Sequence, residues 1–158
     1  MPIKEGQRAP RFTLRDGTGN LVSLSDLKGQ TVVLYFYPKD NTPSCTTEAC
    51  GFRDLWSEIE STGTVVLGVS PDESESHEAF SQKFNLPFAL LSDRDNKVIK
   101  EYGAWGQRRK WYGRRVSGVI RSTVLIDPSG VVHKHWSQVD NADEHPAEVL
   151  KVLQEQLP

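Results

Sequence analysis

The sequence predicts an α/β protein: a mixed central β-sheet flanked by helices, with an N-terminal β-hairpin extension. Three observations point there. Thr31–Tyr37 and Val65–Val69 are continuous apolar, β-branched or aromatic runs of strand length, as strands covered on both faces read. Helical periodicity follows each of them. Ser122–Ile126 and 131–136 then flank the tight-turn sequence Asp127-Pro-Ser-Gly130, which predicts an antiparallel pair. The resulting order is hairpin, βαβα, hairpin, helix, and that order closes most simply as a layered mixed sheet.

Taken in order, residues 11–24 form a short polar hairpin turning at Asp16-Gly17-Thr18-Gly19-Asn20. The strand 31–37 ends at Pro38. A helix begins near Pro43, which suits a first helical turn because it has no N–H to leave unpaired. At ~100° per residue, Cys45, Ala49, Phe52, Trp56 and Ile59 fall on one stripe, widened by Leu55. Residues 73–84 are helical in pattern, with Ala79, Phe80 and Phe84 facing inward. Leu86–Leu91 supplies a short strand and 95–103 a short helix. From Ala147, the residues Val149, Leu150, Leu153 and Leu157 make an amphipathic closing helix.

Composition narrows the function classes. With 158 residues, 37% of them hydrophobic and 25% charged, the chain suits one domain, 1–158, and disorder is disfavoured. No apolar run approaches the ~20 residues that cross a bilayer, and the N-terminus lacks the apolar stretch of a secretory signal. A cytoplasmic protein with no membrane partner is expected. The net charge of −2 favours no nucleic-acid partner.

There are two cysteines, Cys45 and Cys50. Two alone do not make a sulfur-rich zinc site, and in a reducing compartment such a pair is more often reactive than structural. Cys45 falls in the first turn of a helix that follows a buried strand. In α/β sheets catalytic groups gather at such strand ends. Unpaired N–H groups and the helix dipole there favour thiolate, the nucleophilic form. A buried cysteine acting as a small hydrophobe is the competing reading.

Cys50 is five residues further along the same helix. An i,i+5 pair is turned by ~140°, with ~7.5 Å of rise, so its Cα atoms stand roughly 8.7 Å apart. A disulfide needs about 4.4–6.8 Å and cannot form across an intact helix. Cys50 also lies nearly opposite the apolar stripe, near Asp54 and Ser57. Either the pair is a switch that closes when the helix unwinds, or Cys50 is an incidental surface thiol. Geometry alone leaves both open. The Cys-x4-Cys spacing is not the Cys-x-x-Cys of dithiol oxidoreductases.

Pro38-Lys-Asp-Asn-Thr42-Pro-Ser-Cys45 matches the Pro-x-x-x-Thr-x-x-Cys signature of peroxiredoxins. Continued through Thr46-Thr-Glu48-Ala-Cys50-Gly-Phe-Arg-Asp54, it resembles the bacterioferritin comigratory protein / peroxiredoxin Q branch. The likeness extends to Val66-Leu-Gly-Val-Ser70, Ser76-His77, Leu90-Leu-Ser-Asp93, Tyr102-Gly103 and Arg121-Ser-Thr-Val-Leu-Ile-Asp127, and so covers almost the whole chain. Ser44 departs from it, standing where that branch usually has glycine. The resemblance implies a thioredoxin-like fold and reduction of hydrogen peroxide and organic hydroperoxides. It implies Cys45 as peroxidatic and Cys50 as resolving cysteine, and thioredoxin or a similar dithiol protein as reductant. It implies a monomer, and neither metal nor organic cofactor is expected.

Thiolate attack on an O–O bond leaves negative charge on the departing oxygen, so the site must align the peroxide and offer donors. Thr42 is three residues before Cys45; its hydroxyl is expected to contact thiolate and peroxide, or to cap the helix. Pro38 fixes the backbone and shields the pocket, or simply ends the strand. If the strand 122–126 runs antiparallel to 31–37, Arg121 arrives beside Cys45, where a guanidinium stabilises the anion. Read alone, an arginine before a strand is a solvated surface residue. Glu48, one turn after Cys45, either orients Arg121 or is a first-turn acid favoured by the dipole. A sulfenic acid on Cys45 would be captured by Cys50 before further oxidation.

Other features read as ordinary. Gln107-Arg-Arg-Lys-Trp-Tyr-Gly-Arg-Arg115 mixes base and aromatic, but the acidic total favours a solvated loop over a nucleic-acid patch. His133 and His135 share a strand face without a third ligand nearby. His77 reads as a helix-surface or packing histidine. Two rivals to a peroxidase are a thiol–disulfide oxidoreductase acting on proteins and a redox sensor or holdase.

Overall fold

A computed structural model describes residues 3–109 and 115–155. Two short N-terminal strands, β1 (Thr13–Asp16) and β2 (Leu21–Ser23), form the expected hairpin. The turn is knotted by Asp16 Oδ1, which accepts from the backbone N–H groups of Thr18 and Asn20 at 2.9 and 3.0 Å. Buried strands β3 (Thr31–Phe36) and β4 (Thr64–Ser70) pair in parallel, which the helical crossover between them makes possible. The strand β5 (Ala89–Ser92) adds in parallel to β4, and β1 joins β5 antiparallel. The hairpin extension therefore continues the central sheet instead of standing apart from it.

The closing strands β8 (Ser122–Ile126) and β9 (Val132–Trp136) follow a separate antiparallel pair, β6 (Trp105–Arg109) and β7 (Arg115–Val119). Among the described residues, the main sheet is ordered β2-β1-β5-β4-β3-β8-β9. The pairing of β3 with β8 is antiparallel, with Phe36 opposite Ser122 and Tyr35 opposite Thr123. The next residue out on each strand is Tyr37 or Arg121. The finish of one strand and the start of the other therefore meet.

Strand alternation divides the core in two. On one face Val32, Leu34, Phe36, Leu67, Val69, Val124 and Ile126 pack with Phe12, Ile99 and Tyr102. On the other, Val33, Tyr35, Val66, Leu90 and Leu125 meet the helical residues Cys45, Ala49, Phe52, Ile59, Phe80, Val149, Leu150 and Leu153. Burying a side chain of this kind contributes about 1.5–3 kcal/mol, and the closing helix α5 (His145–Glu155) buries three of them, Val149, Leu150 and Leu153, in this second cluster. No helix among the described residues is long and apolar enough to cross a membrane.

Three expectations need correction. The first helix is not continuous: α1 (Pro43–Asp54) ends at Leu55, whose φ of −98° and ψ of 8° leave the helical region, and α2 (Trp56–Ser61) restarts. A stripe of apolar residues carries no signal for such a break, because the side chains stay inward across it. In α3 (Ser74–Phe84), Phe80 is buried and Phe84 half-buried, but Ala79 is exposed and His77 takes the inward place. The basic segment read as a loop contributes to β6 and β7, which pair Trp105 with Val119. Its residues 110–114 lie outside the described residues, as does Leu157. The short helix α4 (Lys97–Glu101) is close to its expected place.

Candidate active site

The loop from β3 to α1 is built by three local devices. Tyr37 still donates its N–H to Val69 at 3.1 Å, extending the sheet before half-buried Pro38 ends it. Asn41 takes a left-handed φ of 63°, which asparagine tolerates better than most residues. Thr42 is the extended residue at the helix start and Pro43 opens the first turn. The carbonyl of Thr42 accepts the N–H of Thr46 at 2.8 Å.

Cys45 sits on the inward face of that first turn, 1% exposed. Its sulfur accepts a hydrogen bond from Arg121 Nη2–H at 3.2 Å. Arg121 Nη1–H donates to Glu48 Oε1 at 2.6 Å, and both side chains are largely out of water. The antiparallel return of β8 carries the guanidinium to the sulfur across 76 residues of sequence. Arg121 is thus not the solvated surface residue that its neighbours in sequence suggest. One guanidinium bridges sulfur and carboxylate, leaving a charged donor set aimed at the thiol.

The electrostatics of the three are mutual. Burial pushes the Glu48 carboxyl up to about 7 even though the Arg121 charge and hydrogen bond pull it down. Burial works against the Arg121 charge, but Glu48 and Cys45 outweigh it and hold the guanidinium above its ordinary value. Glu48 Oε2 and the Tyr35 hydroxyl are buried without a hydrogen-bond partner. Burial, then the charges of Glu48 and Cys45, drive the Tyr35 phenol up and keep it neutral. Two residues along from Arg121, Thr123 Oγ1 meets His145 Nε2 at 2.7 Å and ties α5 to the strand.

Glu48 occupies the buried face of α1 with Cys45, Ala49 and Phe52. Glu48 lies one turn after Cys45, and that helical spacing is the signal that the two share a face. Thr42 neither caps the helix nor hydrogen-bonds to the Cys45 sulfur. Its hydroxyl donates to the Lys39 carbonyl at 3.0 Å, and the helix start has no side-chain cap bond. The left-handed turn at Asn41 brings that carbonyl within reach first. Cys50 is half-buried, less outward than its helical angle predicts. A Cβ on its neighbour Gly51 would stand 2.7 Å from Pro146 Cγ, so α1 and α5 lie in close contact there. Both cysteines are free and α1 is intact.

Sequence reading missed a second polar cluster behind the loop. Asp40 and His77 are buried, with Nδ1 and Oδ2 2.7 Å apart. Tyr37 donates its hydroxyl to Asp40 Oδ1 at 2.6 Å, and Ser76 donates to Oδ2 at 2.8 Å. Asp40 donates its own N–H to Asp72 Oδ2 at 2.8 Å. His133 is exposed and His135 half-buried on β9. Burial holds the His135 imidazole below its ordinary value, with Glu5 pulling the other way.

Comparison with known proteins gives one consistent family. Residues 5–135 match the model of the AhpC/TSA family. The chain is 51% identical over 150 residues to a putative peroxiredoxin Bcp of Coxiella burnetii, covering 95% of this chain and 98% of that one. It is 46% identical to peroxiredoxin Bcp of Bacillus subtilis, covering 98% of each. A mutant of Xylella fastidiosa peroxiredoxin Q superposes with a TM-score of 0.90 at 34% identity, over 98% of each chain. Xanthomonas campestris bacterioferritin comigratory protein, a structure concerned with alkyl peroxide reduction, superposes with a TM-score of 0.84 at 37% identity, over 91% of this chain and 90% of that one.

Proposed function

Since the chain belongs to the AhpC/TSA family, as a thioredoxin-fold peroxiredoxin of the Bcp/peroxiredoxin Q kind and so a thiol peroxidase, we propose that it works through Cys45 as the peroxidatic nucleophile. One observation carries this reading: Arg121 donates to the Cys45 sulfur at 3.2 Å while Glu48 holds its other nitrogen. A cation fixed there sits beside the attacking sulfur and faces the negative charge that develops on the departing oxygen.

The thiolate attacks the nearer oxygen of a hydroperoxide, hydrogen peroxide or an organic one. An S–O bond forms and the O–O bond breaks. The alkoxide or hydroxide leaves with the bonding pair, takes a proton and departs as alcohol or water, and Cys45 becomes a sulfenic acid. Thr42, its hydroxyl proton given to the Lys39 carbonyl, presents lone pairs that can accept the hydroperoxide O–H and align it. Pro38 closes the loop side of the approach. With Cys45 1% exposed, only a slender reactant end can reach its sulfur.

Cys50 resolves the product. Its thiol attacks the sulfenic sulfur, water leaves, and an intramolecular Cys45–Cys50 disulfide forms. The Cα separation of ~8.7 Å across an intact helix must first shrink to about 6 Å, so the first turns of α1 unwind for this step. Thioredoxin or a similar dithiol protein then returns both thiols by two exchange steps. In this reading the chain acts as a monomer and one domain, 1–158, in the cytoplasm.

Peroxide consumption coupled to a thioredoxin recycling system tests it. Cys45→Ser is expected to lose turnover altogether. Cys50→Ser is expected to keep the first oxidation and lose thioredoxin-coupled cycling. Turnover retained by Cys45→Ser would remove the assignment.

A further inference from the structure

The loop that carries the proposed nucleophile is fastened at one residue, Asp40, five positions before Cys45. Every polar group of Asp40's side chain is engaged by a different element. Oδ1 accepts from the Tyr37 hydroxyl at the end of β3. Oδ2 accepts from Ser76 on α3 and lies 2.7 Å from His77 Nδ1 on the same helix. Its backbone N–H donates to Asp72 Oδ2, itself held by the Ser70 hydroxyl at 2.7 Å at the end of β4.

His77 is the far end of this fastening. It is fully buried, and Nε2 faces only an acceptor, the Leu91 carbonyl at 3.0 Å, so that nitrogen carries a proton and donates it. At 2.7 Å two bare acceptors would repel, so a second proton lies between Nδ1 and Asp40 Oδ2. The imidazole thus links the cysteine loop to the β5 backbone through two hydrogen bonds. One ligand atom from each of Asp40, Asp72 and His77 lies within 4.8 Å of the others, a spacing that would also suit a cation. Their acceptor atoms, however, are already taken by Tyr37, Ser70, Ser76 and the Asp40 backbone, which favours a fastening over a ligand set.

We propose that the buried Asp40–His77 pair is a positioning device: it fixes the peroxidatic loop so that Cys45 meets hydroperoxide in register with Arg121, and it marks the point beyond which the helix unwinds. The inference rests on the reading of Cys45 given above and deepens it. Unwinding for the disulfide is confined to the chain after residue 40, because everything before it is tied to β3, β4, α3 and β5. The pair therefore governs the oxidation step, where alignment matters, and leaves the resolving step, which needs mobility, almost untouched.

Rapid-quench mass spectrometry can score thiol, sulfenic acid and disulfide in the full chain after mixing with hydrogen peroxide. His77→Phe keeps the ring and removes both donors; it is expected to slow oxidation of Cys45 by about 10–100-fold. Its conversion of sulfenic acid to disulfide is expected to stay within about twofold of the parent. His77→Asn, whose amide nitrogen can replace Nδ1, is expected to recover most of the lost oxidation rate. A residue needed only for stability would lower the melting temperature without separating the two steps. Asp40→Asn provides the same separation should His77→Phe fail to fold. Folded variants that oxidise at the parental rate would overturn the positioning role alone. A parent that forms no sulfenic acid at Cys45 would overturn the functional reading together with it.

Discussion

Two buried polar clusters flank the cysteine loop, and they are finished to different standards. In the Asp40–His77 cluster, each carboxylate oxygen of Asp40 and both imidazole nitrogens have partners. In the Arg121–Glu48–Cys45 cluster, Glu48 Oε2 and the nearby Tyr35 hydroxyl have none. A satisfied buried network rigidifies, whereas an unsatisfied group keeps an unmet demand for a partner. The first cluster suits holding a loop still. The second leaves a carboxylate oxygen and a phenol unpaired beside the Arg121–Cys45 contact.

The contrast can be broken most severely at Arg121. Arg121→Met should slow peroxide oxidation of Cys45 by about 100–1000-fold, the usual cost of losing one preorganised donor to developing charge. Stopped-flow measurement against hydroperoxide concentration checks this. A loss below tenfold would deny the guanidinium its role as donor to the developing charge.

Next comes pH. The folded Glu48 carboxyl is raised from 4.5 to about 7, so the folded state holds a proton that the unfolded state has released. The stability this contributes is complete below the unfolded value and is lost as pH rises through about 7. Glu48→Gln removes that dependence. Between pH 4 and 8 the parent should therefore lose about 3 kcal/mol relative to the variant. Urea unfolding of both proteins across this range would read it, and parallel pH profiles would contradict it.

The two stacked tyrosines of β3 and the loop that follows give a smaller and sharper comparison. Their ring centroids are 5.4 Å apart, and both phenols are raised by burial first. Tyr37 has a partner in Asp40 and Tyr35 has none. Tyr37→Phe should cost about 1–2 kcal/mol by orphaning part of Asp40, while Tyr35→Phe should be neutral or slightly stabilising. Equal costs in thermal unfolding would erase the distinction between the clusters. Smallest is Ser44→Gly in the exposed first turn of α1, expected to cost less than about 1 kcal/mol through helix propensity. It should leave oxidation of Cys45 within about twofold, by the same stopped-flow assay.

Much of this is legible in the sequence, and the particular residues explain why. The β-branched runs at 31–37 and 65–69, and the Asp127-Pro-Ser-Gly130 turn, identify strands whose neighbours follow from chain connectivity. The antiparallel return then brings residue 121 to the finish of the first strand. Pro43 and the signature ending at Cys45 place that cysteine at a helix start. The break at Leu55 escaped because an apolar stripe reads the same through it. The pairing of His77 with Asp40 escaped because partnership between buried polar groups has no periodicity of its own.

The sequence by itself determined the central strands, the helix start after the first of them and the cysteine seated there, since periodicity, turn chemistry and strand alternation act over a few neighbouring residues. Only the tertiary structure decided how the polar groups are shared. Glu48 finds Arg121 73 positions away and Asp40 finds His77 37 positions away. Which of them ends up satisfied depends on how elements distant in sequence pack together, because a buried donor must take whatever acceptor the packing leaves within 3 Å.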